Sequence, residues 1–339
     1  MLKTPSLTHS TIGFGPLPFA ARLKTRPYIV LMVLAALALV SVVCFMTLGA
    51  RGSWSFIIPF RGRKLLGLLL VAYSIAVSTV LFQTVTNNRI LTPSIMGFDS
   101  LYVLLQTGVV FFLGIGALTT ISGNLSFVIQ IALMMGFSGL LFRWLFGGEE
   151  RSLHLLILVG IVFGTLFRSL SNFMQRLLDP NAFQVLQDTF FASFQMIDPT
   201  LLWVSYAIVG AASLVLWRMG HTFDVLALGR AQAINLGLNY KRVMVTVLMM
   251  VAVLVAVSTA LVGPVTFFGL LVASLAHSLI GNSRHRFVLP AAVLLGVICL
   301  VGGQTLLERV FAFNTALAII VEFLGGLVFI FLVIRGAAR

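Results

Sequence analysis

The sequence predicts an all-α polytopic membrane protein of about ten transmembrane helices, and three observations carry that prediction. Hydrophobic residues make up 60% of the 339 and charged residues only 9%, where a soluble domain has roughly 25% charged. The apolar residues are gathered into runs of about 20, the length that crosses a hydrocarbon core of about 30 Å. Nothing alternates with the period of a barrel strand, and backbone N–H and C=O groups in lipid must be satisfied within their own segment. Each run is therefore read as a helix.

Taken in order, residues 1–27 form a polar tail carrying Lys3, Arg22, Lys24 and Arg26. The run Tyr28–Leu48 is longer than the roughly 7–15 residues of a signal-peptide core and predicts a retained first helix. Further spans are expected at Leu65–Gln83, Leu101–Leu118, Leu125–Phe146, Leu153–Met174, Leu201–Trp217, Val243–Val262, Val265–Ile280, Phe287–Gly303 and Thr315–Ile334. No connection is long enough for a second folded unit, so 28–339 reads as a single transmembrane domain. Between Asp179-Pro180 and Asp198-Pro199, Phe183, Leu186, Phe190 and Phe194 recur at helical spacing. They predict a short amphipathic helix over about 182–195 at the outer surface. The polar stretch at about 220–240, punctuated by Gly229 and Gly237, predicts a short helix pair in a cytoplasmic loop.

The formal charge is +13, yet the basic residues lie between apolar runs instead of forming a nucleic-acid-binding patch. They serve better as topology signals, and an even number of helices with both termini cytoplasmic places most of them inside. Arg61, Arg63 and Lys64 then fall on the outer side, an exception that calls for a function. Cys44 and Cys299 sit within apolar runs, and the five histidines show no metal-ligand spacing. No metal site and no nucleophile–base constellation is visible, which argues against an intramembrane enzyme. Arg168 and Glu322 lie within predicted spans, where a lone charge costs about 2.5–3.5 kcal/mol.

Three ordered blocks go further. Residues 61–98 read RGRKLLGLLLVAYSIAVSTVLFQTVTNNRILTPSIMGF, with Gln83, Asn88, Pro93 and Gly97 on an Asn-Pro-Leu-Ala-x-Pro-x-x-x-Gly type of pattern. Leu228–Arg242 places Leu228, Gly229, Ala233, Leu236 and Gly237 on Leu-Gly-x-x-x-Ala-x-x-Leu-Gly. Val262–His277 places Gly263, Pro264, Phe267, Gly269 and Leu270 on Gly-Pro-Ile-x-Phe-x-Gly-Leu. Together they resemble the iron-siderophore and cobalamin permease family of ABC importers, and TNNRILTPSIMGFDSLY looks nearest its catecholate branch. The chain departs from the pattern at Arg89-Ile90, at Arg230 where an acid is usual, and at Ala273-Ser274.

The resemblance implies a bacterial inner-membrane permease working with a second permease subunit, two ATPase subunits and a soluble or lipid-anchored binding protein that delivers a ferric siderophore. It implies that Arg61, Arg63, Lys64 and Arg309 dock the binding protein, and that Leu228, Gly229, Arg230, Ala233, Asn235, Leu236 and Gly237 form the ATPase-coupling segment. ATP and Mg2+ belong to the partner, since the sequence carries no G-x-x-x-x-G-K-[ST] loop; no cofactor is expected on this chain. Asn88 and Ile90 are gate candidates, and Asn172, Gln175 and Gln195, with Gln304, are candidates near the outer mouth. An ion-coupled secondary transporter is the rival reading, with Glu322 and Asp99 as its carboxylates.

Overall fold

The computed structural model describes residues 27–50, 53–146, 153–195, 197–310 and 317–334. The predicted N-terminal tail and the basic residues Arg51, Arg151, Arg335 and Arg339 lie outside the described residues.

Among the described residues the elements are helical throughout. They are α1 (Pro27–Thr47), α2 (Trp54–Thr86), α3 (Phe98–Leu113), α4 (Gly123–Phe146), α5 (Leu153–Arg176), α6 (Pro180–Asp188), α7 (Pro199–Arg218), α8 (Gly220–Leu226), α9 (Arg230–Asn235), α10 (Tyr240–Val262), α11 (Phe268–Ile280), α12 (His285–Arg309) and α13 (Leu317–Ile334). A 3-10 turn, Pro93–Met96, precedes α3, and a single helical turn, Ala117–Thr120, precedes α4. Among the described residues, seven of these helices are long and apolar enough to cross a membrane, and α3 and α11 are shorter apolar helices.

Burial orders the bundle. Helix α2 is apolar on every side, as a central helix must be, and Leu68, Val71, Ala72, Val80, Leu81 and Phe82 are completely enclosed. It packs against α10, α12 and α11, while α1 covers α12 and α5 lies against α3. Gly296 of α12 lies close against α2, for a Cβ there would stand 3.2 Å from the Ala72 carbonyl oxygen. The two helices run antiparallel in contact along their length.

Two departures from the expected elements matter. Helix α2 begins at Trp54, about three turns before Leu65. The basic cluster therefore lies on a helix and not in a loop, so its members point in different directions. The predicted helix over about 182–195 stops at Asp188. Beyond it the chain is irregular and pinned by Ser193 N–H donating to the Val262 carbonyl at 2.8 Å, which sets Ala192 against the end of α10, and Ala192 and Phe194 are buried without a helical face.

The segment 87–97 returns into the bundle. Gly97, at φ +87°, presses on α5, where Cβ atoms at Gly160 and Gly164 would come within 2.9 Å of Met96 Cα and 3.2 Å of Gly97 Cα. Irregular backbone survives at that depth because protein encloses it.

Candidate functional site

At one end of the bundle, four side chains form a network. Lys64 Nζ donates to Glu308 Oε1 at 2.8 Å and to Gln195 Oε1 at 2.9 Å, and Gln304 Nε2 donates to the same Glu308 oxygen at 2.9 Å. The Lys64 and Glu308 side chains are 6% and 10% exposed, so each charge depends on the other. A cleft of about 330 Å³ opens beside them, lined by Phe60, Arg63, Lys64, Phe194, Gln195 and Asp198.

The basic residues of this end divide by helical direction. Arg61 Nη1 donates to the carbonyls of Phe45, Met46 and Leu48 at 2.8, 3.1 and 2.9 Å, and Nη2 to that of Gly49 at 3.3 Å. Arg309 Nη2 donates to the Leu48 carbonyl as well. Both guanidinium groups thus satisfy the orphan carbonyls at the C-terminus of α1 and complement its dipole. Arg63 is exposed. Lys64, one residue and 100° further round the helix, turns inward onto Glu308 and is buried.

Helix α5 presents three faces. Leu156, Gly160, Gly164 and Ser171 are buried. Val162, Leu166, Phe173 and Leu177 form an exposed apolar face. Between these lies a polar stripe of Thr165, Arg168, Asn172 and Arg176, all exposed on the single chain. The 3- and 4-residue spacing was in the sequence, but it shows as a stripe only when residues 165–176 are plotted together. Gln175 sits at its edge, its Nε2 donating to Thr107 Oγ1 of α3 at 3.1 Å.

At the opposite end, Gly229 (φ +93°) and Gly237 (φ +82°) close α8 and α9 into a compact pair. Leu228, Arg230, Asn235 and Leu236 are exposed, with Ile234 beside them. Gly229 is half-buried, and Ala233 is fully enclosed. Ala233 anchors the segment instead of facing outward. Asn87 closes α2 in the left-handed conformation, and Asn88 Oδ1 accepts the Ile90 N–H at 3.0 Å, so the Asn88 carboxamide holds a local turn. Ile90 is exposed at 56%.

The same end holds a cavity of about 240 Å³ bordered by Gln83, Arg89, Asp224, His277, Arg284 and His285. Asp224 Oδ1 accepts from the His285 backbone N–H at 2.9 Å and lies 2.7 Å from its Nδ1. Nε2 of the same ring is 2.7 Å from Thr84 Oγ1. Burial pushes the Asp224 carboxyl up, but the His285 hydrogen bonds and the positive charges of His285 and Arg284 hold it below its ordinary value. Glu308, Asp224, His285 and Thr84 carried no motif in the sequence; they become visible only as neighbours.

Residues 27–335 match the model of the FecCD transport family. The chain belongs to that family. It is 45% identical over 313 residues to the petrobactin import system permease protein YclO of Bacillus subtilis, covering 92% of this chain and 98% of that protein. It is 35% identical to the petrobactin import system permease protein FatC of Bacillus anthracis, covering 94% and 92%. A solved inward-facing structure described as a metal-chelate type ABC transporter superposes with a TM-score of 0.77 at 23% identity, covering 91% of this chain and 99% of that one. This FecCD member is accordingly a multi-pass permease subunit of an ABC importer, a transporter component whose ATPase is a separate chain.

Proposed function

We propose that this permease imports a ferric siderophore of the catecholate type, received from a binding protein at the Lys64 end and released at the Asp224 end. The observation that carries the substrate reading is near-full-length identity of 45% to a petrobactin import permease. The iron travels as cargo within its chelator, so the chain itself needs no metal ligands.

The polar stripe of α5 supports a passage between two permease subunits. A guanidinium within a span is tolerated when it faces a water-filled cavity, and Arg168, Asn172 and Thr165 would line such a path, with Gln175 and Gln195 towards its mouth and Asn88 and Ile90 at the far turn. Arg63, with Arg61 and Arg309 beside it, would meet acidic groups of the binding protein, steering encounter more than adding affinity. Leu228, Arg230, Asn235, Leu236 and Gly237 would seat in a partner ATPase that supplies ATP and Mg2+. The Asp224 end gathers Arg89, Arg218, Arg230, Lys241, Arg242 and Arg284, which supports a cytoplasmic placement of that end, of both termini, and of the whole chain in a bacterial inner membrane.

Reconstitution tests this reading. Vesicles holding the permease, ATPase and binding protein should accumulate iron-loaded petrobactin only with ATP; accumulation without the ATPase and nucleotide would instead favour ion coupling through Asp99 or Glu322. Substitution of Arg168 by Leu should leave insertion intact, easing it by up to about 2.5–3.5 kcal/mol, and depress uptake.

A further inference from the structure

Helices α2 and α12 are braced against each other at both ends by polar contacts. At one end stand Lys64 and Glu308. At the other stand Thr84 and His285. Lys64 and Thr84 are twenty residues apart on α2, about 30 Å at helical rise, which is the thickness of a hydrocarbon core. Between the braces the helices meet at Gly296 and Ala72, near enough to resist sliding.

Each brace also holds one outside element. At the Lys64 end that element is the irregular segment carrying Gln195. At the far end it is α8, whose Asp224 binds both the backbone N–H and the ring of His285. The ring nitrogens are fully engaged: Nδ1 faces a carboxylate and so bears a proton, while Nε2 meets Thr84 Oγ1. That hydroxyl also lies 2.8 Å from the Val80 carbonyl. A hydroxyl has one proton, so it donates to Val80 while Nε2–H donates to it, or it donates to Nε2 and leaves Val80. In either arrangement α8, α12 and α2 are tied at one imidazole.

We propose that α2 and α12 form the transmission beam of this permease, with Asp224–His285–Thr84 as its input joint and Lys64–Glu308–Gln195 as its output at the mouth. The proposal rests on the reading of Leu228–Gly237, which follows α8, as the ATPase-docking segment. Thr84 is a positioning residue in this proposal, acting through its contact with His285. Packed side chains with two arrangements can carry such coupling, but only a coupling measurement establishes it.

The test uses the full complex with its ATPase, in a background where Cys44 and Cys299 are replaced by Ser, and Arg63→Cys as a reporter at the cleft. Labelling by a membrane-impermeant maleimide should change rate when a non-hydrolysable ATP analogue is added. Thr84→Val, which keeps shape and removes the hydroxyl, should shrink that nucleotide-dependent change by about tenfold, Thr84→Ser should restore it, and Asp224→Asn should shrink it likewise. The ATPase should co-purify with all three. An undiminished response in Thr84→Val, or no nucleotide response in the parent, would overturn the beam. Loss of the ATPase from Thr84→Val would overturn it too, since the network would then be part of the dock. Failure of the docking reading has a different signature, namely an ATPase that still co-purifies with Gly237→Arg.

Discussion

Lys64 and Glu308 are 244 residues apart in sequence and 2.8 Å apart in space, each nearly enclosed, with Gln195 and Gln304 completing their hydrogen bonds. Removing one member strands the other as a buried charge, which costs about 3–5 kcal/mol, whereas replacing both with apolar side chains can be nearly neutral. Glu308→Leu alone should therefore lower thermal stability of the detergent-purified permease sharply, and Lys64→Met with Glu308→Leu should recover most of the loss. Equal melting of the single and double variants would contradict a coupled pair.

Gly164 gives α5 room for the returning segment at Gly97. A Cβ would already stand 3.2 Å from Gly97 Cα, and the branches of valine find no space. Gly164→Val should cost about 1–3 kcal/mol through overpacking, read as a lower melting temperature. Val162→Ala, on the exposed apolar face of the same helix, should change it by no more than about 0.5 kcal/mol.

Arg61 and Arg63 separate structure from docking. Arg61→Ala strips the carbonyls at the end of α1 of their donor and should destabilise the fold by about 1.5–3 kcal/mol. Arg63→Glu should leave stability unchanged and slow association with the binding protein, an effect that fades as salt rises. Stopped-flow association measured across ionic strengths distinguishes them, and an association rate unaffected by Arg63→Glu would remove Arg63 from the docking surface.

The Asp224 carboxyl is held below its ordinary value of about 3.9, because the folded state favours its charged form. Its contribution is complete above the unfolded value and is lost as pH falls through the lowered folded one. The gap in melting temperature between wild type and Asp224→Asn should therefore be full at pH 5 and close progressively below about pH 4. A gap that widened on acidification would mean that Asp224 is not bound as a carboxylate.

Much of this protein was determined by its sequence alone. Apolar runs of bilayer length fix an all-helical membrane bundle because a backbone in lipid has no other way to satisfy its polar groups. The polar stretch punctuated by Gly229 and Gly237 marked the short helix pair, for glycine admits the positive-φ turns that close it. Hydrophobicity does not say which helix is central, since lipid and protein interior are equally apolar, and only packing put α2 inside and left α5 with a bare polar stripe. Nor could charge pattern separate Arg63 from Lys64: their divergence follows from α2 extending upstream to Trp54, so that adjacent residues face opposite environments. Thr84 with His285, and Lys64 with Glu308, are partners across more than 200 residues. No local period encodes such meetings, and the antiparallel contact of α2 with α12 alone created them.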